Sequence, residues 1–387
     1  MRRWLVGALM IGMCFFIGCG GNLPKETSGE TPVEVTKTVA EIKAEAIAGQ
    51  IASMSTEEKI GQLLMADFRK SQDGNGMTVL TQDAIDAMNT YQPGGVILFS
   101  ENLDTLEQSR KLTEDLQKAS KTPLFIGIDE EGGLVSRLNK SNIPHETILS
   151  AGEMTAPEEA EAAGRSIGTT LAEIGVNVDF APVADINTNP QNPVIGIRAY
   201  SADPDQAAAM VCAFVEGLQE TGVSGTVKHF PGHGDTAADS HEGEVFVSHD
   251  LARLKATEFV PFQKAIEGGV DLVMVGHINM PNAITDGLPA SLSSQAVALL
   301  REDLGYNGIV ITDAMNMQAI TDAYGVGEST VMAVLAGVDI VLMPADLEEA
   351  YQALLEAKNT GRITDTRLEE SLQRIFSLKY EKGFIAG

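Results

Sequence analysis

The sequence has little positive charge. Its 387 residues contain 27 Lys and Arg against 54 Asp and Glu, a formal net charge of -27. Binding to nucleic acid requires a basic face that neutralises phosphates. The Lys and Arg residues form no runs that could supply such a face. We therefore exclude DNA and RNA as partners.

Cysteine is also scarce. The three cysteines, Cys14, Cys19 and Cys212, are too few and too badly spaced for a disulfide framework or a thiolate zinc site. Hydrophobic residues make up 44% of the chain, which is enough apolar material for a sizeable core. These proportions exclude a disordered acidic tail and a small disulfide-stapled scaffold.

The N-terminus predicts export. Residues 1–18 begin with Arg2 and Arg3 and continue as an apolar run, which has the length and shape of a signal peptide. The run ends Phe-Ile-Gly-Cys, a form of bacterial lipobox, so we expect Cys19 to be lipidated. Residues 19–38 are rich in Gly, Pro, Thr and Glu and predict a flexible tether. We expect the outer face of the cytoplasmic membrane, with membrane contact through the lipid only. Ordinary secretion is the alternative.

The body, residues 39–387, alternates amphipathic helical stretches with short runs of Val, Ile and Leu. Several helical stretches end in Gly followed by Val, where a left-handed glycine can stop a helix before a strand. Ser55 to Glu58 reads as a capping box. The pattern predicts a single catalytic (β/α)8 TIM-type barrel, with an open doubly wound sheet as the competitor. The expected strands are Leu63–Asp67, Val96–Phe99, Leu124–Ile128, Val178–Pro182, Gly225–Lys228, Leu272–Gly276, Gly308–Thr312 and Ile340–Leu342.

Polar side chains follow strand after strand, and a barrel gathers such residues at one mouth. Asp129 and Arg137 follow the third strand, and Arg198 lies on the loop after the fourth. Asp185, on the same loop, could equally brace the loop or touch a ligand. We expect no further domain after the last predicted helix, which ends near Lys379.

The fifth strand leads into the densest signal, KHFPGHGDTAADSH, which runs from Lys228 to His241. A zinc site is one reading, but Pro231 and Gly232 prevent a helix from placing two histidines on one face. The other reading has Lys228 and His229 donating hydrogen bonds to a polar substrate. On a mobile, glycine-containing loop, Asp239 could then hold the imidazole of His241 as a proton donor and acceptor.

The seventh strand ends in a single carboxylate, Asp313, which makes this residue a candidate nucleophile. A helix cap or a structural ion pair is the simpler reading. His277, after the sixth strand, could line the pocket or only pack there. His145 and His249 read as surface or loop residues.

Taken together, the motifs IDEEGGLVSR, DFAPVADI, IRAYS, KHFPGHGDTAADSH and GIVITDAMNM resemble those of family 3 glycoside hydrolases. The resemblance is to the bacterial β-N-acetylglucosaminidases that trim cell-wall fragments. It implies Asp313 as nucleophile, His241 as general acid/base and Asp239 as its partner. It also implies sugar contacts from a set of polar residues and one methionine, without a metal or cofactor: Asp129, Arg137, Arg198, Lys228, His229 and Met315.

The implied reaction is release of terminal N-acetylglucosamine from peptidoglycan-derived fragments or related aminosugar glycosides, with retention through a covalent glycosyl-enzyme. Gly232 and Gly234 suggest that the loop closes on substrate, and we expect a monomer. Substrate-assisted hydrolysis is the competing mechanism. A β-glucosidase, a glycoside phosphorylase and a lipid-anchored saccharide-binding protein are the alternative functions.

Overall fold

The structure, a computed structural model, describes residues 37–241 and 243–385. The predicted signal peptide and Cys19 lie outside these residues, as does the predicted tether up to residue 36. The chain from Val39 onward forms one compact unit. Within the described ranges, no helix combines the length and the apolar character needed to cross a bilayer.

Eight parallel strands form the centre of this unit, in the order β10-β1-β2-β3-β4-β5-β7-β9. A parallel bridge between Ile311 and Ile340 joins the two outermost strands, and the Thr312 amide donates to the Ile340 carbonyl at 3.1 Å. The sheet therefore closes into a barrel, which confirms the predicted fold. The strands are β1 (Leu64–Asp67), β2 (Gly95–Ile97), β3 (Phe125–Ile128), β4 (Val178–Asp179), β5 (Ser224–Phe230), β6 (Val245–Phe246), β7 (Leu272–Val275), β8 (Ile278–Asn279), β9 (Ile309–Thr312) and β10 (Val341–Leu342).

Two strands lie outside the barrel. β6 and β8 form a separate parallel pair, built from the segments that follow β5 and β7. Each predicted run contains or overlaps one barrel strand. The fourth run is shorter than expected and the fifth is longer, because β5 continues to Phe230.

Helices surround the barrel, with α5 packed on α6, α6 on α8 and α11 on α12, while α1 packs on α13. A π-helical segment, Leu299–Asp303, continues α9. The α-helices are α1 (Val39–Ser53), α2 (Thr56–Gly61), α3 (Gln82–Tyr91), α4 (Leu106–Ala119), α5 (Pro157–Glu173), α6 (Pro204–Gln219), α7 (Leu251–Ala256), α8 (Phe259–Glu267), α9 (Ser294–Ala298), α10 (Gln318–Thr321), α11 (Val326–Ala336), α12 (Leu347–Asn359) and α13 (Asp365–Glu381).

Local sequence signals explain where these helices begin and end. The Ser55 hydroxyl accepts from the Glu58 amide at 3.2 Å, and the Glu58 carboxylate accepts from the Ser55 amide at 2.8 Å, so the predicted capping box is present. Gly337 ends α11 with φ of 112°, and an added Cβ there would lie 2.9 Å from the Val297 side chain. Only glycine combines this left-handed backbone with that close approach.

One continuous apolar core fills the barrel and the layer between strands and helices. Phe125, Phe180 and Phe230 are fully buried in it. Burial of one such ring stabilises the fold by roughly 1.5–3 kcal/mol. Two lysines are buried as completely. Lys228 reaches the carboxyl ends of the strands, and Lys379 contacts residues that precede β1 and β2 at the opposite end.

Candidate active site

A cavity of about 400 Å³ opens at the carboxyl ends of the barrel strands. Residues from the ends of β1, β2, β3, β5, β7, β9 and β10 line it. Parallel strands of a barrel point their carboxyl ends to one face, so side chains far apart in sequence meet there. Most of the predicted site residues line this cavity: Asp129, Arg137, Arg198, Lys228, His229, His241 and Asp313.

A chain of ion pairs forms one side of the cavity. Lys228 Nζ lies 2.8 Å from Asp129 Oδ1 and 2.8 Å from Glu131 Oε1. Arg198 donates to both oxygens of Glu131 at 2.8 Å, and Arg137 donates to Asp129 at 3.1 Å. Three cations therefore surround two carboxylates, which leaves this side of the cavity positive.

Burial and charge act in opposite directions on these groups. Burial raises the pKa of Asp129 and Glu131, but the adjacent Lys228 and the arginines outweigh it and hold both pKa values below their usual range. Burial lowers the pKa of Lys228, and the two carboxylates raise it above its usual value. All three groups are therefore charged at neutral pH, and each is a fixed hydrogen-bonding group for a polar ligand.

His229 is held from behind by Asp185. Its Nδ1 lies 2.8 Å from Asp185 Oδ2, and the same carboxylate accepts from the amides of His229 and His233. Asp185 is 1% exposed and does not line the cavity. Of the two readings that the sequence leaves open, the structure favours the bracing role. With Nδ1 engaged, Nε2 is the nitrogen of His229 that can serve a ligand.

Asp313 follows β9 directly and is half-buried at the cavity. Its amide donates to the Val275 carbonyl at 2.9 Å, and its Oδ1 accepts from the Ala314 amide at 2.7 Å. Burial raises the pKa of Asp313, but the nearby His229, the Ala314 amide and the charge of Lys228 lower it below its usual value. An ionised, rigidly held carboxylate at this place has the properties of a nucleophile.

Asp239 and His241 form a pair on the loop after β5. The Asp239 carboxylate lies 2.7 Å from His241 Nδ1 and accepts from the His241 amide at 2.9 Å. Burial raises the pKa of Asp239, and the His241 hydrogen bonds and charge lower it further than burial raises it. His241 is 65% exposed and lines the same cavity as Asp313. Its Nε2 can therefore exchange protons with a bound molecule or with water.

His277 does not line the cavity. It is fully buried, with Nε2 3.0 Å from the Ala314 carbonyl and Nδ1 2.7 Å from the Ser291 hydroxyl. Burial lowers the pKa of His277, so the ring is neutral near pH 7. A carbonyl only accepts, so Nε2 carries the proton and Nδ1 accepts from Ser291. Of the two interpretations of His277, the structure supports the one in which it packs in the interior and does not line the pocket.

The glycines that suggest a mobile loop are closely packed. An added Cβ at Gly234 would lie 1.9 Å from the Ile186 carbonyl oxygen, and one at Gly232 would lie 2.9 Å from the Glu258 side chain. Gly232 also has φ of 126°. These positions need glycine because the backbone packs tightly there. Closure of the loop on substrate stays a prediction.

The arrangement of these side chains at successive strand ends can be compared with known proteins. The family described as "Glycosyl hydrolase family 3 N terminal domain" matches residues 55–378. The chain belongs to glycosyl hydrolase family 3. Among the residues that the structure describes, no three His, Cys, Asp or Glu side chains are grouped so that they could hold a metal ion.

Relatives of this family 3 chain differ in length. "Beta-hexosaminidase A" of Pseudoalteromonas piscicida is 36% identical over 375 residues, which cover 87% of this chain and 62% of that protein. "Beta-hexosaminidase LpqI" of Mycobacterium tuberculosis is 32% identical over 368 residues, covering 91% of this chain and 90% of that protein. A solved family 3 β-N-acetylglucosaminidase from Paenibacillus sp. str. FPU-7 has a TM-score of 0.81 and 40% identity, covering 87% of this chain and 64% of that one. The chain thus spans less than two thirds of some relatives and nearly all of another.

Two charged cavity residues of this family 3 chain, Glu131 and Arg69, are absent from the set predicted from the sequence. Glu131 holds Lys228 and Arg198, and its position two residues after Asp129 in the same motif is the signal that indicates it. Arg69 follows β1 and stacks on Phe99, with Cζ 3.3 Å from the ring centroid. Looking for polar residues after the first strand, as after the others, would have found Arg69.

Met315 lies elsewhere than the resemblance implies. It is 2% exposed and is not among the cavity-lining residues, and its amide donates to the Leu342 carbonyl at 2.9 Å. Asn316 and Met317 line the cavity instead. The methionine of this motif that lines the cavity is therefore Met317, two residues further along the chain.

Proposed function

We propose that this chain is a retaining exo-β-N-acetylglucosaminidase that uses Asp313 as nucleophile and His241 as general acid/base. The single observation that carries the proposal is that Asp313 and the His241 of an Asp-His pair line one cavity. The names of the relatives, β-hexosaminidases and a β-N-acetylglucosaminidase, support the same substrate class.

In the first step, a carboxylate oxygen of Asp313 attacks the anomeric carbon. The bond from that carbon to the aglycone oxygen breaks as the new bond forms, and His241 donates the Nε2 proton to the departing oxygen. The positive charge of the oxocarbenium-like transition state is stabilised by the anionic Asp313. Asp239 stabilises the imidazolium before donation and fixes its orientation.

In the second step, neutral His241 removes a proton from water, and the water oxygen attacks the anomeric carbon. The bond to Asp313 breaks, the carboxylate is restored and the imidazolium is regenerated. Two displacements at one carbon retain its configuration. Asp129, Arg198, Lys228 and His229 supply hydrogen bonds to the sugar hydroxyls.

The charge at the cavity mouth supports peptidoglycan fragments as substrates. Arg69 and Arg137 both line the cavity, and the Nε atom of each is buried without a hydrogen-bond partner. Donors left without an acceptor are suited to an acidic group on the ligand. The aglycone of such a fragment carries carboxylates. An exported enzyme anchored by a lipid on Cys19 would meet this substrate outside the cytoplasmic membrane.

The test is to trap the glycosyl-enzyme. A fluorinated N-acetylglucosaminyl fluoride, which forms the covalent intermediate faster than it hydrolyses, should add one sugar mass to the protein, and peptide mapping should place it on Asp313. Asp313→Asn should take up no label. A label elsewhere, or hydrolysis of a chromogenic N-acetylglucosaminide by Asp313→Asn at the full rate, would refute the proposal.

Assays with the chromogenic N-acetylglucosaminide also distinguish the alternative functions and mechanisms. Binding without turnover indicates a saccharide-binding protein, loss of activity with a chelator indicates a metallohydrolase, and a sugar phosphate formed in phosphate buffer indicates a phosphorylase. Turnover without a trapped adduct favours substrate-assisted hydrolysis. Product analysis on peptidoglycan fragments tests the natural substrate.

A further inference from the structure

The loop that carries the acid/base pair is folded around one buried histidine, His233. This residue is 2% exposed and lies between the end of β5 and the Asp239–His241 pair. The mechanism above gives it no role. Its ring packs edge-on against His229, with centroids 5.9 Å apart.

The backbone of His233 is fixed by the loop that follows β4. Its amide donates to Asp185 Oδ1 at 2.6 Å, and its carbonyl accepts from Asn192 Nδ2 at 2.8 Å. Asp185 also holds His229. His233 is therefore fixed to the same buried frame as a sugar-binding residue of the proposed site.

The ring of His233 forms hydrogen bonds with both ends of the segment 236–240, which follows it in the loop. Nδ1 lies 2.7 Å from the Thr236 hydroxyl, and Nε2 lies 3.2 Å from the Ser240 hydroxyl. Burial lowers the pKa of His233, so the ring is neutral and has one donor and one acceptor.

Both ring contacts are made to hydroxyl groups, which can donate or accept. The Thr236 hydroxyl lies 2.7 Å from Nδ1 and 2.9 Å from the His233 carbonyl, which can only accept. In either tautomer of the ring, Nε2 shares one hydrogen bond with the Ser240 hydroxyl.

Ser240 is the buried residue of the segment that carries the pair. It is 2% exposed, whereas Ala237, Ala238 and His241 are exposed. Its carbonyl accepts from the Ala319 amide at 3.3 Å, at the start of α10. Ser240 stands directly between Asp239 and His241, so a movement of Ser240 moves both members of the pair.

We propose that His233 is a positioning residue that holds the His241 imidazole opposite Asp313 through its Nε2–Ser240 hydrogen bond. This rests on the proposed role of His241 as proton donor. Without the bond, His241 stays on the protein but is no longer held at the leaving group. Only substrates whose leaving group needs a proton should then react slowly.

The test uses two amide variants that each replace one ring nitrogen. In His233→Asn the amide stands near the position of Nδ1 and can keep the Thr236 bond but not the Ser240 bond. In His233→Gln the side-chain amide reaches the position of Nε2 and can still form a hydrogen bond with Ser240. Ser240→Ala removes the hydroxyl partner, and His145→Asn, on the loop after β3, is the matched control.

The readout is kcat/KM on phenyl and dinitrophenyl N-acetylglucosaminides, because this ratio reports the first chemical step. For His233→Asn and Ser240→Ala we expect a loss of roughly 10–100-fold on the phenyl substrate, which is part of the roughly 100–10,000-fold that a general acid supplies. We expect little change on the dinitrophenyl substrate. His233→Gln and the control should stay close to the wild type. The variant that combines His233→Asn with Ser240→Ala should lose no more kcat/KM on the phenyl substrate than the more affected single variant, because both remove the same hydrogen bond.

Equal losses on both substrates would overturn the inference, because a merely structural histidine affects both alike. His241→Ala separates this result from failure of the proposed function. If His241→Ala shows the selective loss and the other two variants do not, only the role of His233 fails. If His241→Ala shows no selective loss, the acid/base assignment fails. If thermal unfolding shows that His233→Asn is not folded, the result for Ser240→Ala alone decides whether the role of His233 holds.

Discussion

At the residue scale, three reactive side chains of the cavity are each oriented by a second group. Asp185 orients His229, Asp239 orients His241, and the Ala314 amide orients Asp313. Such support matters because a displacement of about 1 Å can cost roughly 100-fold in rate. The sequence indicates the reactive residue types after the strands, but a supporting contact such as that from Asp185 depends on side-chain packing.

His277 extends this support to the nucleophile. Its Nε2 donates to the carbonyl of Ala314, whose amide binds Asp313. We expect His277→Ala to lower kcat/KM by roughly 10–100-fold because Asp313 is then less well placed. The loss should be equal on phenyl and dinitrophenyl N-acetylglucosaminides, since attack by Asp313 is part of the first step with either leaving group.

His277→Gln is the matched variant, because its amide nitrogen can still donate to Ala314. It should recover most of the activity. A loss confined to the phenyl substrate, or an unchanged rate in His277→Ala, would contradict a role in placing the nucleophile.

At the scale of single elements, the strands and the loops after them hold different members of the site. β9 holds Asp313 rigidly, while the loop after β5 carries His241 over the cavity. The sequence predicts the positions of the strands well because buried parallel strands are runs of Val, Ile and Leu. It does not predict how the loop after β4 packs on the loop after β5, because that contact joins residues with no shared pattern.

The glycine at 234 tests that contact. Gly234→Ala would place a methyl group 1.9 Å from the Ile186 carbonyl, so the two loops must move apart. We expect the free energy of unfolding to fall by about 1–3 kcal/mol and hydrolysis of a phenyl N-acetylglucosaminide to slow. Chemical denaturation and kcat/KM measure the two effects.

A Gly→Ala substitution at an exposed helical position should change the free energy of unfolding in the opposite direction. Gly49 is exposed within α1, and an added Cβ there meets nothing within 4 Å. Gly49→Ala should therefore raise the free energy of unfolding by up to about 1 kcal/mol without changing activity. If both variants behaved alike, close packing at Gly234 would not be the reason for glycine.

At the scale of the whole molecule, each end of the barrel contains a buried lysine, and the two lysines have partners of different charge. Lys228, at the carboxyl ends, is paired with two carboxylates. Lys379, at the opposite end, bonds only neutral oxygens, with Nζ 2.9 Å from Gln62 Oε1 and 3.3 Å from the Gly94 carbonyl. Burial lowers the pKa of Lys379 to about 7. Its ammonium also faces the rings of Phe125 and Phe376.

This difference predicts a pH dependence of stability. The unfolded chain holds the Lys379 proton up to about pH 10.4, whereas the folded chain releases it near pH 7. Stability from this residue is therefore complete above the unfolded pKa and is lost as the pH falls toward 7. Relative to Lys379→Met, the wild type should gain up to about 1.4 kcal/mol per pH unit between pH 7 and 9.

Chemical denaturation at several pH values measures this difference. Lys118→Met, which removes an exposed lysine on α4, should leave the pH dependence of the wild type unchanged. If the curves of Lys379→Met and the wild type ran parallel between pH 7 and 9, Lys379 would be charged in the folded protein.

The sequence by itself determined the barrel and the order of the chemical groups around its mouth. Apolar runs fix the strands, and glycines such as Gly337 and capping residues such as Ser55 fix where helices end or begin, because these signals act within a few residues. Asp313 and His241 could be predicted as site residues because each lies in a motif after a strand.

Tertiary structure alone decided which side chains meet. The bracing role of Asp185, the ion pairs of Glu131 and the exclusion of Met315 from the cavity depend on contacts between segments far apart in the chain. The charge of buried groups such as Lys379 also depends on the whole fold. Burial and partners set a pKa, and neither exists until the chain has folded.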